Sequence, residues 1–136
     1  RKVVAVREPG GTPLGDQIRR LLLDPASDIV ARAEGLLFMA SRAQLVEREV
    51  RPALAAGATV ILDRFFLSTY AYQVAGRRLP HEQIDAANRL AVGDLPYVLG
   101  AGDADSTPAS IMLTPLPEAV ASGAETFLVI GAIAGG

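Results

Sequence analysis

Val3-Val4-Ala5-Val6-Arg7-Glu8-Pro9-Gly10-Gly11-Thr12-Pro13-Leu14-Gly15 decides the fold. An apolar, β-branched run stops abruptly at charge, proline and two glycines, which reads as a buried strand entering a loop. Thr12 then offers an N-cap hydroxyl and Pro13 a first helical residue. Leu14, Ile18, Leu21 and Leu22 follow at helical spacing, and Asp24-Pro25 ends the helix.

The same pattern returns further on. Thr59-Val60-Ile61-Leu62 is a second short strand, ending in Asp63-Arg64. Between the two strands a longer helix is expected from about Ile29, with Val30, Ala33, Leu37, Ala40 and Leu45 on recurring faces. It should break at Arg51-Pro52, with Ala53 to Gly57 closing this half and Gly57 in the helix C′ position. Leu67 to Val74 is compatible with a helix, and Pro80 starts another through Ile84, Ala87 and Leu90. Beyond Gly93 the text changes: Ala101 to Pro108 reads as loop, Ser110 to Thr114 and Phe127 to Ile130 as further strands. Short apolar strands alternating with helices predict an α/β fold whose parallel sheet has flanking helices on both faces.

Composition narrows the function. The 136 residues hold 13 Lys+Arg, 15 Asp+Glu, no cysteine and one histidine, His81. That length suits one domain with a buried core and is short for two. A disulfide scaffold and a His/Cys zinc site are excluded, and a Ser-His-Asp triad has little to build on. His81, beside Pro80, reads as a first-turn surface residue. No apolar run reaches the roughly 20 residues of a membrane helix, and no signal peptide opens the sequence. Lack of cysteine is compatible with a reducing cytoplasm.

The charges are unevenly placed. Residues 1–89 hold 13 basic and 10 acidic groups, whereas residues 90–136 hold no basic group and 5 acidic ones. An anionic partner therefore belongs to the first half. The excess is too small and too interspersed to track a nucleic-acid backbone, so a small anion such as a phosphate fits better.

Ligands of open parallel sheets bind outside the carboxyl ends of the strands. Arg7 and Arg64 stand at two such exits, where two guanidinium forks suit one phosphate. The plainer alternative is an Asp63–Arg64 loop salt bridge with Arg7 in solvent. Glu34, Phe38 and Arg42 recur every four residues and share a helix face. An aromatic ring and an Arg one turn apart suit a flat base, although spacing alone favours a core Phe beside a surface Arg. Ser68-Thr69-Tyr70-Ala71-Tyr72-Gln73 is dense in neutral hydrogen-bonding groups, suited to a base edge or a sugar, or simply to capping and packing a helix.

Arg7-Glu8-Pro9-Gly10-Gly11-Thr12-Pro13-Leu14-Gly15 resembles the signature loop and helix of bacterial thymidylate kinases. Glu34-Gly35-Leu36-Leu37-Phe38-Met39-Ala40-Ser41-Arg42-Ala43-Gln44 is similar to that family's base-binding helix. Asp63-Arg64-Phe65, with Ser68-Thr69 and Ala71-Tyr72-Gln73, resembles its phosphate-and-nucleoside segment. The match covers about Val3 to Gly93; residues 94–136 diverge, apart from a weaker likeness of Ile111-Met112-Leu113-Thr114 and Pro117-Glu118 to the next strand and its exit. A single, partial domain over 1–136 is expected, with a P-loop nucleoside-monophosphate-kinase-like fold, incomplete.

The resemblance implies that Phe38 stacks on thymine and Arg42 hydrogen-bonds its carbonyl edge. It implies that Arg64, helped by Arg7, holds the dTMP phosphate. Ser68 and Thr69 would sit near the base, Tyr72 under the sugar and Gln73 nearby, with Asp63 close to the magnesium and phosphoryl-transfer zone. The implied reaction moves the γ-phosphoryl of ATP to dTMP with Mg²⁺, in a cytoplasmic enzyme that is usually a homodimer and binds neither nucleic acid nor membrane.

One part of that pattern is not found. The motif G-x-x-x-x-G-K-[ST], which holds ATP phosphates, has no counterpart, since the only lysine is Lys2, and no basic lid residue follows Arg89. In the family the phosphate loop and its strand precede the first motif. Phe127 to Gly136 faintly resembles that strand running into its glycine loop, as a circular rearrangement would give. A truncated or frameshifted reading frame is the favoured expectation. On that expectation a central sheet position is left unpaired and kinase activity is very weak or lost. The rivals are a non-catalytic dTMP-binding remnant, another nucleoside or nucleotide kinase, and a fragment unable to fold alone.

Overall fold

Two apolar strands, β1 (Val3–Arg7) and β2 (Thr59–Asp63), run parallel, with Val3 opposite Thr59 and Arg7 opposite Asp63. This is seen in a computed structural model, which describes residues 2–63, 65–95, 98–99 and 128–131. The elements between and after the strands are α1 (Pro13–Leu23), α2 (Ala31–Leu45), a π-helical turn (Val46–Val50) and α3 (Arg51–Ala55). Then come α4 (Phe65–Thr69), a second π-helical turn (Tyr70–Gly76), α5 (His81–Val92), β3 (Val98–Leu99) and β4 (Leu128–Gly131).

The sheet order is β1-β2-β4-β3, and each neighbouring pair is parallel. The expected vacancy at the centre of the sheet is therefore filled. The strand read at Phe127 to Ile130 appears as Leu128–Gly131, and it pairs Ile61 with Val129 on one side and Val98 with Val129 on the other. Strand β3 was not foreseen. The strand expected at Ser110 to Thr114 and the loop at Ala101 to Pro108 lie outside the described residues.

Burial along the two strands is uneven. Val60 and Leu62 are fully buried but Ile61 is 43% exposed, a period of two. Among the described residues, then, the helices cover one face of β2 rather than both. β1 alternates likewise, with Val3, Ala5 and Arg7 exposed and Val4 and Val6 half-buried, and among the described residues it has a strand neighbour on one side only.

The core lies on the covered face. Leu45, Val46 and Val50 pack with Val60, Leu62, Phe65, Val92 and Leu95. Each fully buried aliphatic side chain there contributes about 1.5–3 kcal/mol. A smaller cluster, Met39, Ile84 and Ala91, joins α2 to α5. Leu90 lies 88% exposed instead of packing, because Ile84, Ala87 and Ala91 form the i, i+3, i+7 face of α5 and position 90 falls beside it. Val30 and Leu21, which fall on the helical repeats of the sequence, are likewise exposed.

The helix ends follow local chemistry. Thr12 caps α1 by accepting from Gly15 N at 2.9 Å, with Pro13 at the first helical position. At the end of α3, Gly57 (φ 78°) donates to Leu54 O and Ala58 N to Ala53 O, the paired bonds of a Schellman cap. Arg51-Pro52 does not break the helix as expected. Arg51 N reaches back five residues to Val46 O, and this wider turn relieves the clash that a proline ring makes with the carbonyl four residues behind.

Candidate functional site: a cleft at the carboxyl ends of the strands

The loop leaving β1 is held by short, specific contacts. Gly10 N donates to Ser41 Oγ at 3.1 Å, tying the loop to α2, and Gly11 N donates to Asp16 Oδ1 at 3.1 Å, tying it to α1. A side chain at Gly15 would place its Cβ 2.9 Å from Gly10 O, so the loop folds onto α1 only over a glycine. Arg19 Nη1 completes the arrangement by donating to Pro9 O at 3.0 Å.

This loop, α1, α2 and α4 with its π-helical turn enclose a cleft of about 820 Å³. Arg7, Phe38, Arg42, Ser68, Thr69, Tyr72 and Gln73 all line it, so the structure brings together every candidate residue whose side chain is described. The Asp63 side chain and the whole of Arg64 lie outside the described residues. His81 is exposed at the start of α5, as expected, and its ring stacks on Tyr70 with centroids 5.0 Å apart.

Arg42 is neither a surface residue nor a free one. It is 1% exposed, and each of its five guanidinium N–H groups meets an acceptor. Nε donates to both oxygens of Glu8, at 2.9 and 3.0 Å, and Nη2 donates to Glu8 Oε1 at 2.5 Å and to Thr69 Oγ1 at 2.7 Å. Nη1 donates to Asn88 Oδ1 at 2.6 Å and, weakly, to Met39 Sδ at 3.6 Å. The guanidinium carbon lies 5.0 Å from the centre of the Phe65 ring, a cation–π contact. Phe65 itself takes a left-handed backbone (φ 34°) where the chain turns into α4.

Glu8 is 5% exposed. Burial pushes its carboxyl above the ordinary glutamate value, and the charge and hydrogen bonds of Arg42 pull the other way without cancelling the shift. The opposite wall holds polar atoms less well served. Gln73 is 1% exposed and its Nε2 has no hydrogen-bond partner. Glu34 Oε2 is 2.9 Å from Arg77 Nε but makes no aligned hydrogen bond, so the contact is an ion pair held by charge.

Three contributors escaped the sequence reading. Arg19 and Arg77 line the cleft, and Asn88 stands behind Arg42 on α5. One signal was present: Arg19 lies one helical turn beyond Gly15, the glycine on which the loop folds. Nothing local marked Asn88.

The arrangement has two chemical ends. Phe38, Thr69 and Gln73 offer an aromatic face and neutral hydrogen-bonding groups. Arg7 and Arg19 offer cations beside the loop; the Arg7 side chain is 63% exposed and 4.0 Å from Asp16. Among the described residues no three His, Cys, Asp or Glu side chains come together as a metal site, and no helix is long and apolar enough to cross a membrane.

Comparisons with known proteins agree with this picture. The family model described as thymidylate kinase matches residues 1–99. The chain is similar to the thymidylate kinase of Chlorobium chlorochromatii, 57% identical over 93 residues, covering 68% of this chain and 42% of that protein. It is similar to the thymidylate kinase of Chlorobaculum tepidum at 45% over 122 residues, covering 87% of this chain and 55% of that protein. The solved thymidylate kinase of Ehrlichia chaffeensis superposes with a TM-score of 0.66 at 36% identity, over 72% of this chain and 52% of that one. The chain thus spans about half the length of the curated relatives it matches. With its parallel sheet, its flanking helices and the family match over residues 1–99, this chain belongs to the thymidylate kinase family.

Proposed function

We propose that the cleft binds dTMP, with the base against Phe38 and Thr69 and the phosphate toward Arg7 and Arg19. The observation that carries this reading is the convergence of Arg7, Phe38, Arg42, Ser68, Thr69, Tyr72 and Gln73, drawn from three separate sequence segments, on one cleft. Phe38 supplies a face for the pyrimidine, and the unpartnered Gln73 amide supplies a donor that a base carbonyl satisfies. Arg64 is proposed as a further phosphate ligand and Asp63 as its neighbour at the reacting end; both assignments rest on their motif alone.

The reaction of the whole protein is proposed as transfer of the γ-phosphoryl of ATP to a dTMP phosphate oxygen, with Mg²⁺ supplying charge neutralisation when bound. The acceptor oxygen is already anionic, so positioning and charge stabilisation suffice without a general base. The residues described do not fit ATP or the metal: they include no acidic cluster, and the one lysine, Lys2, is exposed at the start of β1. No step is therefore assigned to that half, and this chain is read as a dTMP-binding unit with impaired or no transfer. A homodimer is the family's usual assembly and is proposed on that ground only.

Titration calorimetry with dTMP and with ATP, together with an assay of dTDP formation, tests the proposal. Saturable dTMP binding with turnover far below the roughly 1–100 s⁻¹ of active kinases is expected. Absence of dTMP binding overturns the site, and ordinary turnover overturns the impairment.

A further inference from the structure

Arg42 has its charge neutralised by Glu8, but a single carboxylate does not fix the plane of a guanidinium. Glu8 holds the Nε–Nη2 edge, and rotation about that edge would swing Nη1. The group that holds Nη1 is Asn88, whose Oδ1 accepts at 2.6 Å; the alternative acceptor, Met39 sulfur at 3.6 Å, is weak. Asn88 does not line the cleft. It reaches Arg42 from α5, while Glu8 reaches it from the loop after β1 and Thr69 from α4.

The orientation matters because of what lies on the far side. Thr69 Oγ1 accepts from Nη2 at 2.7 Å, and Thr69 is buried and lines the cleft. With one lone pair of that oxygen held by a permanent cation, the hydroxyl hydrogen is left to point elsewhere, and the cleft is where an acceptor would meet it. A ligand carbonyl at this end thus meets a Thr69 donor whose direction is set by Arg42, and Arg42 is in turn set by Asn88.

We propose that Asn88 is a positioning residue for the base end of the cleft, acting through Arg42 on Thr69 without touching the ligand. This rests on reading the cleft as the dTMP site. Removing the Asn88 acceptor should therefore weaken binding of a ligand that carries a base and spare one that lacks it.

The test compares dTMP with 2-deoxyribose 5-phosphate, measured calorimetrically, directly or by competition, on the full chain. Asn88→Ala and the bulkier Asn88→Leu are expected to weaken dTMP about tenfold, the loss of one hydrogen bond to a charged group. The base-free phosphate should bind as it does to the wild type. Asn88→Asp, which keeps an acceptor oxygen in place, should restore most of the dTMP affinity. Two variants guard against misfolding, because alanine favours a helix interior and leucine keeps a branched side chain where alanine leaves a gap. Unchanged dTMP affinity in both overturns the proposal, as does an equal loss of both ligands, which would mark a general structural role. Failure of the wild type to bind dTMP at all overturns instead the dTMP reading of the cleft, and this proposal falls with it.

Discussion

Arg42 Nη2 lies 2.5 Å from Glu8 Oε1, and the two side chains are 1% and 2% exposed. A guanidinium and a carboxylate at that depth are tolerable only together. Glu8→Ala leaves the Arg42 cation buried without its counter-charge, and we expect it to cost about 3–5 kcal/mol of folding free energy. Chemical denaturation of the variant against the wild type reads this directly, and a loss below about 1 kcal/mol would show water or another group taking the place of Glu8.

The same pair sets a pH dependence. Burial raises the Glu8 pKa in the folded state above its ordinary value of 4.5. The unfolded chain therefore releases this proton at lower pH than the folded one, and stability from this group is full below 4.5 and lost as pH rises through the raised value. Relative to Glu8→Gln, which cannot ionise, the wild type should lose stability as pH is raised from 4.5 across that window and then level off. Unfolding free energies of both proteins at a series of pH values measure the difference, and a relative gain by the wild type would mean that the Arg42 attraction outweighs burial.

Gly15 is a packing requirement rather than a flexible joint. A methyl group there would stand 2.9 Å from Gly10 O and from Thr12 Oγ1, disturbing the loop and the α1 cap together. Gly15→Ala should destabilise the protein by about 1–3 kcal/mol, despite the better helix propensity of alanine. It should also weaken binding of dTMP, because that loop carries Glu8, the partner of Arg42, and follows directly on Arg7. Thermal unfolding and calorimetry on one sample check both effects.

Strand β4 is held on both sides, so its backbone amides matter more than those of an edge. Val129 is opposite Ile61 and Val98 at once. Val129→Pro removes a backbone donor inside the sheet and should cost at least about 1–3 kcal/mol. Val3→Pro, on half-exposed β1, should cost less. Equal losses would contradict the central placement of β4.

Much of this architecture was legible locally. The Thr12-Pro13 start of α1 and the Gly57 stop of α3 follow from the chemistry of single residues, and both strands that flank the cleft end where apolar residues give way to charge. What stayed hidden was long-range. The acceptors around Arg42 lie 27, 34 and 46 positions away, and no local pattern announces that Thr69, Glu8 and Asn88 converge on it. Reading Phe38 and Arg42 as one helix face was right about their direction. Burial of Arg42 depends on its partners and was therefore invisible. The half-exposed character of β1 and β2 was missed for a similar reason: a short apolar run does not reveal how many neighbours will cover it. The continuation of the helix past Arg51-Pro52 required a register shift that the proline alone does not disclose.

The strand order β1-β2-β4-β3 also carries a kinetic consequence. On a ribosome, residues 1–95 emerge well before residues 128–131, so β1 and β2 with their helices can collapse while the slot between β2 and β3 still waits for its occupant. Closing it joins strands far apart in the sequence late in synthesis, which slows folding and prolongs the interval in which nascent chains can pair with one another. The middle of this sheet is its last part to be made, and its assembly should be the step most helped by a chaperone that holds chains apart.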